Sequence, residues 1–106
     1  MYLVITKHTR PDTTVEFYNF KESTQISDET REHFVNTYVL TGKIVHTAWE
    51  RSEDELSTTS QAFWLSKEDF DAYKDDPILV ADFFPARDAY YAENGIVLEP
   101  ISAEVI

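Results

Sequence analysis

Ile44-Val45-His46-Thr47-Ala48-Trp49-Glu50-Arg51 runs into Ser52-Glu53-Asp54-Glu55 and returns as Leu56-Ser57-Thr58-Thr59-Ser60-Gln61-Ala62-Phe63-Trp64-Leu65. β-Branched and aromatic residues mark both arms and a polar tetrad separates them, which predicts an antiparallel hairpin over Ile44–Arg51 and Leu56–Leu65. Successive side chains of a strand point to opposite faces, so a sheet with one wet face shows a clean alternation of apolar and polar residues. These arms show none. Under strict alternation Ile44 and Ala48 point one way and Val45 and Trp49 the other, while Phe63 and Leu65 oppose Ala62 and Trp64. The hairpin therefore predicts a sheet with apolar side chains on both faces.

Upstream, Tyr2 to Thr9 is a first strand, again apolar on both sides, with Tyr2 and Val4 opposite Leu3 and Ile5. Arg10-Pro11-Asp12 signals a turn, because proline fixes φ and aspartate bonds its own backbone. Thr14 to Phe20 reads as extended, either a short second strand or a continuation of the first. Lys21 to Ile26 is a loop. Ser27 is an N-cap ahead of Asp28, Glu29 and Glu32, whose charges suit the positive end of a helix. Phe34, Val35, Tyr38 and Val39 share a face of that helix, and Gly42 stops it.

Downstream, Ser66 caps a second helix with Asp69 in the capping-box position, and Phe70 and Tyr73 supply its buried face. Asp76-Pro77 starts another helical segment, and Pro85 breaks or kinks it. Ala86, Ala89 and Tyr90 carry helical character to Asn94-Gly95. Ile96 to Leu98 is a last short strand before Pro100 and a mixed tail to Ile106.

The resulting order, βαββαβ, predicts an α+β fold of ferredoxin-like type: a four-stranded antiparallel sheet with the helices on one face. At 106 residues it forms one domain, residues 1–106. One helical layer cannot cover two apolar sheet faces, and each large side chain left in water forfeits about 1.5–3 kcal/mol. The expected cover for the second face is another copy of the chain, so the sequence predicts a homodimer with dimeric barrel-like packing.

This element order, with both sheet faces apolar, resembles the dimeric α+β barrel superfamily, which includes the antibiotic-biosynthesis-monooxygenase-like proteins. The resemblance spans most of the chain at the level of element order, and the Thr14–Phe20 stretch departs from it. It implies face-to-face pairing of two sheets and a pocket between sheet and helices, suited to a small molecule or to cofactor-independent oxygenation. A narrower likeness lies in Tyr2-Leu3-Val4-Ile5-Thr6-Lys7-His8, Arg10-Pro11, Val15-Glu16-Phe17 and the Phe34 to Gly42 helix. These stretches look like small uncharacterised proteins of T4-like marine bacteriophages, which implies a phage source and carries over no activity.

Composition narrows the function classes. The formal charge is −11, and residues 54–106 carry 12 acids against three bases. That field repels phosphate backbones and anionic lipid, so neither nucleic acid nor membrane is an expected partner. No apolar run approaches a membrane span and no targeting segment is evident, which makes the cytoplasm the expected compartment, or the virion for a phage protein. Cysteine is absent and the only glycines are Gly42 and Gly95. This excludes thiol chemistry, a phosphate-cradling glycine loop and a serine nucleophile elbow.

What remains is a small set of candidates. Trp49, Trp64 and His46 are the residues to line a ligand pocket, with the small and polar run Ser57 to Gln61 leaving space beside them; the structural alternative makes the tryptophans core or interface anchors. His8, His33 and His46 lack the spacing of metal ligands, and Glu68, Asp69, Asp71, Asp75 and Asp76 lack the grammar of a calcium loop. No metal or cofactor is expected. The leading expectation is a non-catalytic homodimeric interaction or structural module. The alternatives are a small-molecule binder or monooxygenase-like enzyme, and an acidic inhibitor of a basic partner surface.

Overall fold

The computed structural model describes residues 1–106. Four strands, β1 (Tyr2–Thr9), β2 (Ile44–Arg51), β3 (Ser57–Trp64) and β4 (Val97–Val105), form one antiparallel sheet in the order β2-β3-β1-β4. With α1 (Asp28–Phe34) between β1 and β2, and α2 (Lys67–Lys74), α3 (Pro77–Ala81) and α4 (Phe83–Asn94) between β3 and β4, this is the ferredoxin-like arrangement. The molecule measures 36 × 33 × 18 Å, two layers thick.

Local chemistry explains the element boundaries. Ser27 Oγ accepts the Thr30 amide at 3.2 Å and starts α1. Ser66 Oγ accepts the Asp69 amide and donates to Asp69 Oδ2, a closed capping pair at the head of α2. Asp76 caps α3 through the amides of Ile78 and Leu79, with Pro77 at the first position, where a missing N–H costs nothing. Gly95, at φ 68°, ends α4 in the left-handed conformation that suits glycine.

Five local expectations are revised. Thr14 to Phe20 is not a strand; residues 11–26 form turns and coil, with Phe20 packed against Phe34 and Phe83 on the helix side. Past Phe34 the first helix widens into a π-helical turn, Val35–Val39, marked by the Leu40 amide bonding the Val35 carbonyl. The extra residue per turn rotates the face: Tyr38 is 2% exposed while Val35 and Val39 are 38% and 44% exposed. Pro85 neither breaks nor kinks a helix, because it lies in the first turn of α4, where amides have no intrahelical acceptor; the break falls at Asp82. The last strand is three times longer than Ile96 to Leu98. It passes Pro100 because β4 is an edge strand with a register shift at that point, where a missing amide is tolerated.

The fifth revision matters most. A bulge between Ile44 and His46 inserts an extra residue into β2, and every later side chain changes face. Ile44 pairs with Trp64 and Trp49 with Ser60, so Ile44 and Trp49 share the helix side; Ala48, opposite Gln61, and His46, opposite Phe63, lie on the outer side. The core sits between the layers at one end of the sheet, where Tyr2, Ile26, Tyr38, Trp64, Leu79 and Phe83 form the buried cluster.

Candidate functional site

The helix side of the sheet has two ends. At the first, Tyr2, Val4, Trp64 and Ala62 are covered by aromatic side chains of the helices. Trp64 lies 5.9 Å from the Tyr38 ring, 5.5 Å from Phe70 and 5.0 Å from Tyr73, and it is 3% exposed. That end is filled. The expected pocket between sheet and helices does not occur around Trp64.

At the second end, the strand register sets out a row of Arg51, Thr58, His8 and Leu98, and a neighbouring row of Trp49, Ser60, Thr6 and Pro100. The 11–26 segment brings Phe17 against Arg51, and α4 reaches across through Tyr91. Its hydroxyl lies 2.7 Å from His8 Nδ1, while His8 Nε2 lies 3.4 Å from Ser60 Oγ. Ser60 donates its one proton to the Thr6 carbonyl at 3.4 Å, so it accepts from His8 Nε2–H. Nδ1 is then the acceptor, and the Tyr91 hydroxyl donates to it. Burial, assisted by the positive charge of Arg87, lowers the His8 pKa and keeps this ring neutral. Burial raises Tyr91 to about 12, which keeps its hydroxyl protonated.

Over this network lies Trp49, its ring 5.9 Å from that of His8 and 66% exposed. Indole, imidazole and phenol thus form an open aromatic shelf with a hydrogen-bonded floor. Both ring nitrogens of His8 are engaged and Tyr91 holds its proton, so the shelf offers contact surface and no free base.

The sequence-derived candidates are dispersed. Trp49 is on the shelf, Trp64 is in the core, and His46 is on the outer face against Phe63, at 5.8 Å between rings. β3 separates the strands of His8 and His46, and the two histidines face opposite sides. His33 Nε2 lies 2.6 Å from Asp76 Oδ2, which also accepts the Tyr38 hydroxyl at 2.6 Å. Burial works to raise the Asp76 pKa, but these bonds and the Ile78 and Leu79 amides outweigh it and hold the carboxyl below its ordinary range. Of the other acids in residues 68–76, Asp69 closes the α2 cap and Asp71 pairs with Lys67 and Lys74. No group of three or more histidine and acidic side chains is arranged to hold a metal ion, and no helix is long and apolar enough to cross a membrane.

Sequence reasoning missed Tyr91 and set His8 aside as a metal ligand. They are separated by 83 positions, and only the β1–β3 pairing and the path of α4 bring them together. Two open surface depressions, of about 480 and 260 Å3, are lined by residues 16–19 and 21–28 with Arg31 and Tyr90. Their walls are mostly polar loop side chains and present no convergent network, so chemistry favours the shelf over volume.

No protein-family model matches the chain, and no curated protein matches it. Among solved structures the chain is similar to that of At3g17210 from Arabidopsis thaliana, at 12% identity and a TM-score of 0.34 over 97% of each chain. A likeness at that level carries no argument about function.

Proposed function

We propose that the chain is a non-catalytic module that pairs with a second copy through the outer face of its sheet. The observation that carries this reading is a half-buried apolar cluster on that face with no helix over it: Leu3 and Ile5 on β1 and Phe63 on β3, adjacent by register, with Ala48 on β2 separated from Ile5 by Gln61. No helix lies on that side, and the 11–26 segment folds onto the other. The block is smaller than strict alternation implies, because the bulge carries Trp49 away from it. Beyond it the face turns polar, with Lys7 between Thr59 and Glu99 and with Glu50 next to Thr59. An apolar centre with a charged margin is the usual composition of a protein interface. Sedimentation equilibrium at micromolar concentration tests it. The wild type is expected at twice its chain mass, and Phe63→Glu at one chain mass with an unchanged circular dichroism spectrum; a wild-type monomer would remove the reading.

A second reading is favoured by its own observation, the exposed indole of Trp49 over the His8–Tyr91 pair. On this reading the shelf takes a small molecule with a flat body and a polar edge, stacked on Trp49 and hydrogen-bonded at the floor. Titration of the 15N-labelled chain with 2-naphthol is expected to shift the Trp49 indole N–H and the Ser60 amide in NMR spectra, and Trp49→Ala to abolish the Ser60 shift. Shifts confined to the outer face, or a Ser60 response that survives Trp49→Ala, would exclude the shelf.

A further inference from the structure

Resting on the small-molecule reading of the shelf, we infer that its ligand carries a carboxylate, taken by Arg51. The shelf ends in a concentration of positive charge that the net charge of −11 gives no reason to expect. The guanidiniums of Arg10 and Arg51 lie against the Phe17 ring, at 4.9 and 5.1 Å from its centroid. Neither has a carboxylate within 4.0 Å, so of the four arginines only Arg31 and Arg87 are ion-paired.

The two arginines differ in what they have left to give. Arg10 is buried and committed: Nε and Nη2 donate to the Glu55 carbonyl at 2.9 and 2.7 Å, and Nη1 to the Val15 carbonyl at 2.9 Å. It is a fixed charge. Arg51 is exposed, and its head is held only by the ring. Its cross-strand partner Thr58 is buried, and the Thr58 hydroxyl has no hydrogen-bond partner. An exposed guanidinium fork with no hydrogen-bond partner of its own thus stands at the end of the shelf, and a ligand oxyanion supplies the acceptor it lacks.

Position selects the kind of molecule. Trp49 precedes Arg51 by two residues on the same side of β2, about 7 Å along the strand. A flat body on the indole therefore presents a substituent of one or two atoms to Arg51. A single fork matches a carboxylate in bidentate fashion, while the net charge of −11 opposes a multiply charged phosphate ester. The ligand class is a planar monocarboxylate.

NMR titration of the full chain with 2-naphthoate and its neutral counterpart 2-naphthamide tests this. Naphthoate is expected to bind about tenfold more tightly, the scale of a charge-assisted hydrogen bond, with the advantage shrinking as salt is raised. Arg51→Gln is expected to erase the difference. Equal affinities, tighter binding of the amide, or a preference that survives Arg51→Gln would overturn the carboxylate assignment and leave the shelf standing. No response at Trp49 and Ser60 to either probe would overturn both.

Discussion

Trp49 and Trp64 belong to one hairpin and to one side of it, yet one is 66% exposed and the other 3%. The difference lies in what stands opposite. Trp64 faces Tyr38, Phe70 and Tyr73, carried in by the first helix and α2, whereas Trp49 faces His8 and, through it, the single hydroxyl of Tyr91. The helices close one end of the sheet and leave the other open. Apolar character alone therefore does not say whether an aromatic residue is core or contact surface; the reach of the covering layer does.

The largest test of this contrast is truncation of each indole. Trp64→Ala is expected to cost about 3–5 kcal/mol by urea unfolding, the range for a large buried aromatic. Trp49→Ala is expected to stay within about 0.5 kcal/mol, as for exposed positions. Similar losses at both sites would erase the distinction between the ends.

Next in size is the polar clasp at the closed end. Asp76 accepts from Tyr38 and two amides of α3 and pairs with His33 in a buried setting. Asp76→Asn replaces an acceptor oxygen by a donor and is expected to cost about 2–3 kcal/mol. The depressed Asp76 pKa adds a sign: its contribution is present above the ordinary value of 3.8 and is lost as pH falls through the lower native value. Urea midpoints of the wild type that fall on acidification below about pH 4, against a flatter Asp76→Asn profile, would carry that signature.

The open end makes a smaller demand at a different pH. His8 is held neutral, with its pKa below 6.5, so protons bind the unfolded chain more readily between 6.5 and the native value. Stability is then expected to fall as pH drops below 6.5, and His8→Gln to flatten that part of the profile. A His8→Gln chain with the wild-type slope between about pH 7 and 5 would show that the fold does not hold His8 neutral.

Much of the scaffold is readable because its signals are local. Ser27, Ser66, Asp76-Pro77 and Gly95 are terminators whose chemistry acts within a few residues, and all four stand at the observed ends. The failures have a common cause in tertiary geometry. Nothing in Ile44-Val45-His46 announces a bulge, yet it reverses the facing of Ala48 and Trp49. Pro100 reads as a stop because its tolerance depends on lying at the sheet edge. The π-helical turn moves Val35 and Val39 outward on the same terms. Of the site, Trp49 is legible as a large aromatic on a strand, while His8, Ser60 and Tyr91 acquire meaning only once β1, β3 and α4 are assembled.

Single-tryptophan chains give the most direct measurement of the contrast. With Trp64→Phe leaving Trp49, and Trp49→Phe leaving Trp64, acrylamide quenching reads each indole separately. Trp49 is expected to emit at long wavelength and to be quenched nearly as freely as tryptophan in solution, and Trp64 to resist quenching. Equal protection of the two would mean that the second end of the sheet is closed, and would contradict the open shelf on which the ligand reading stands.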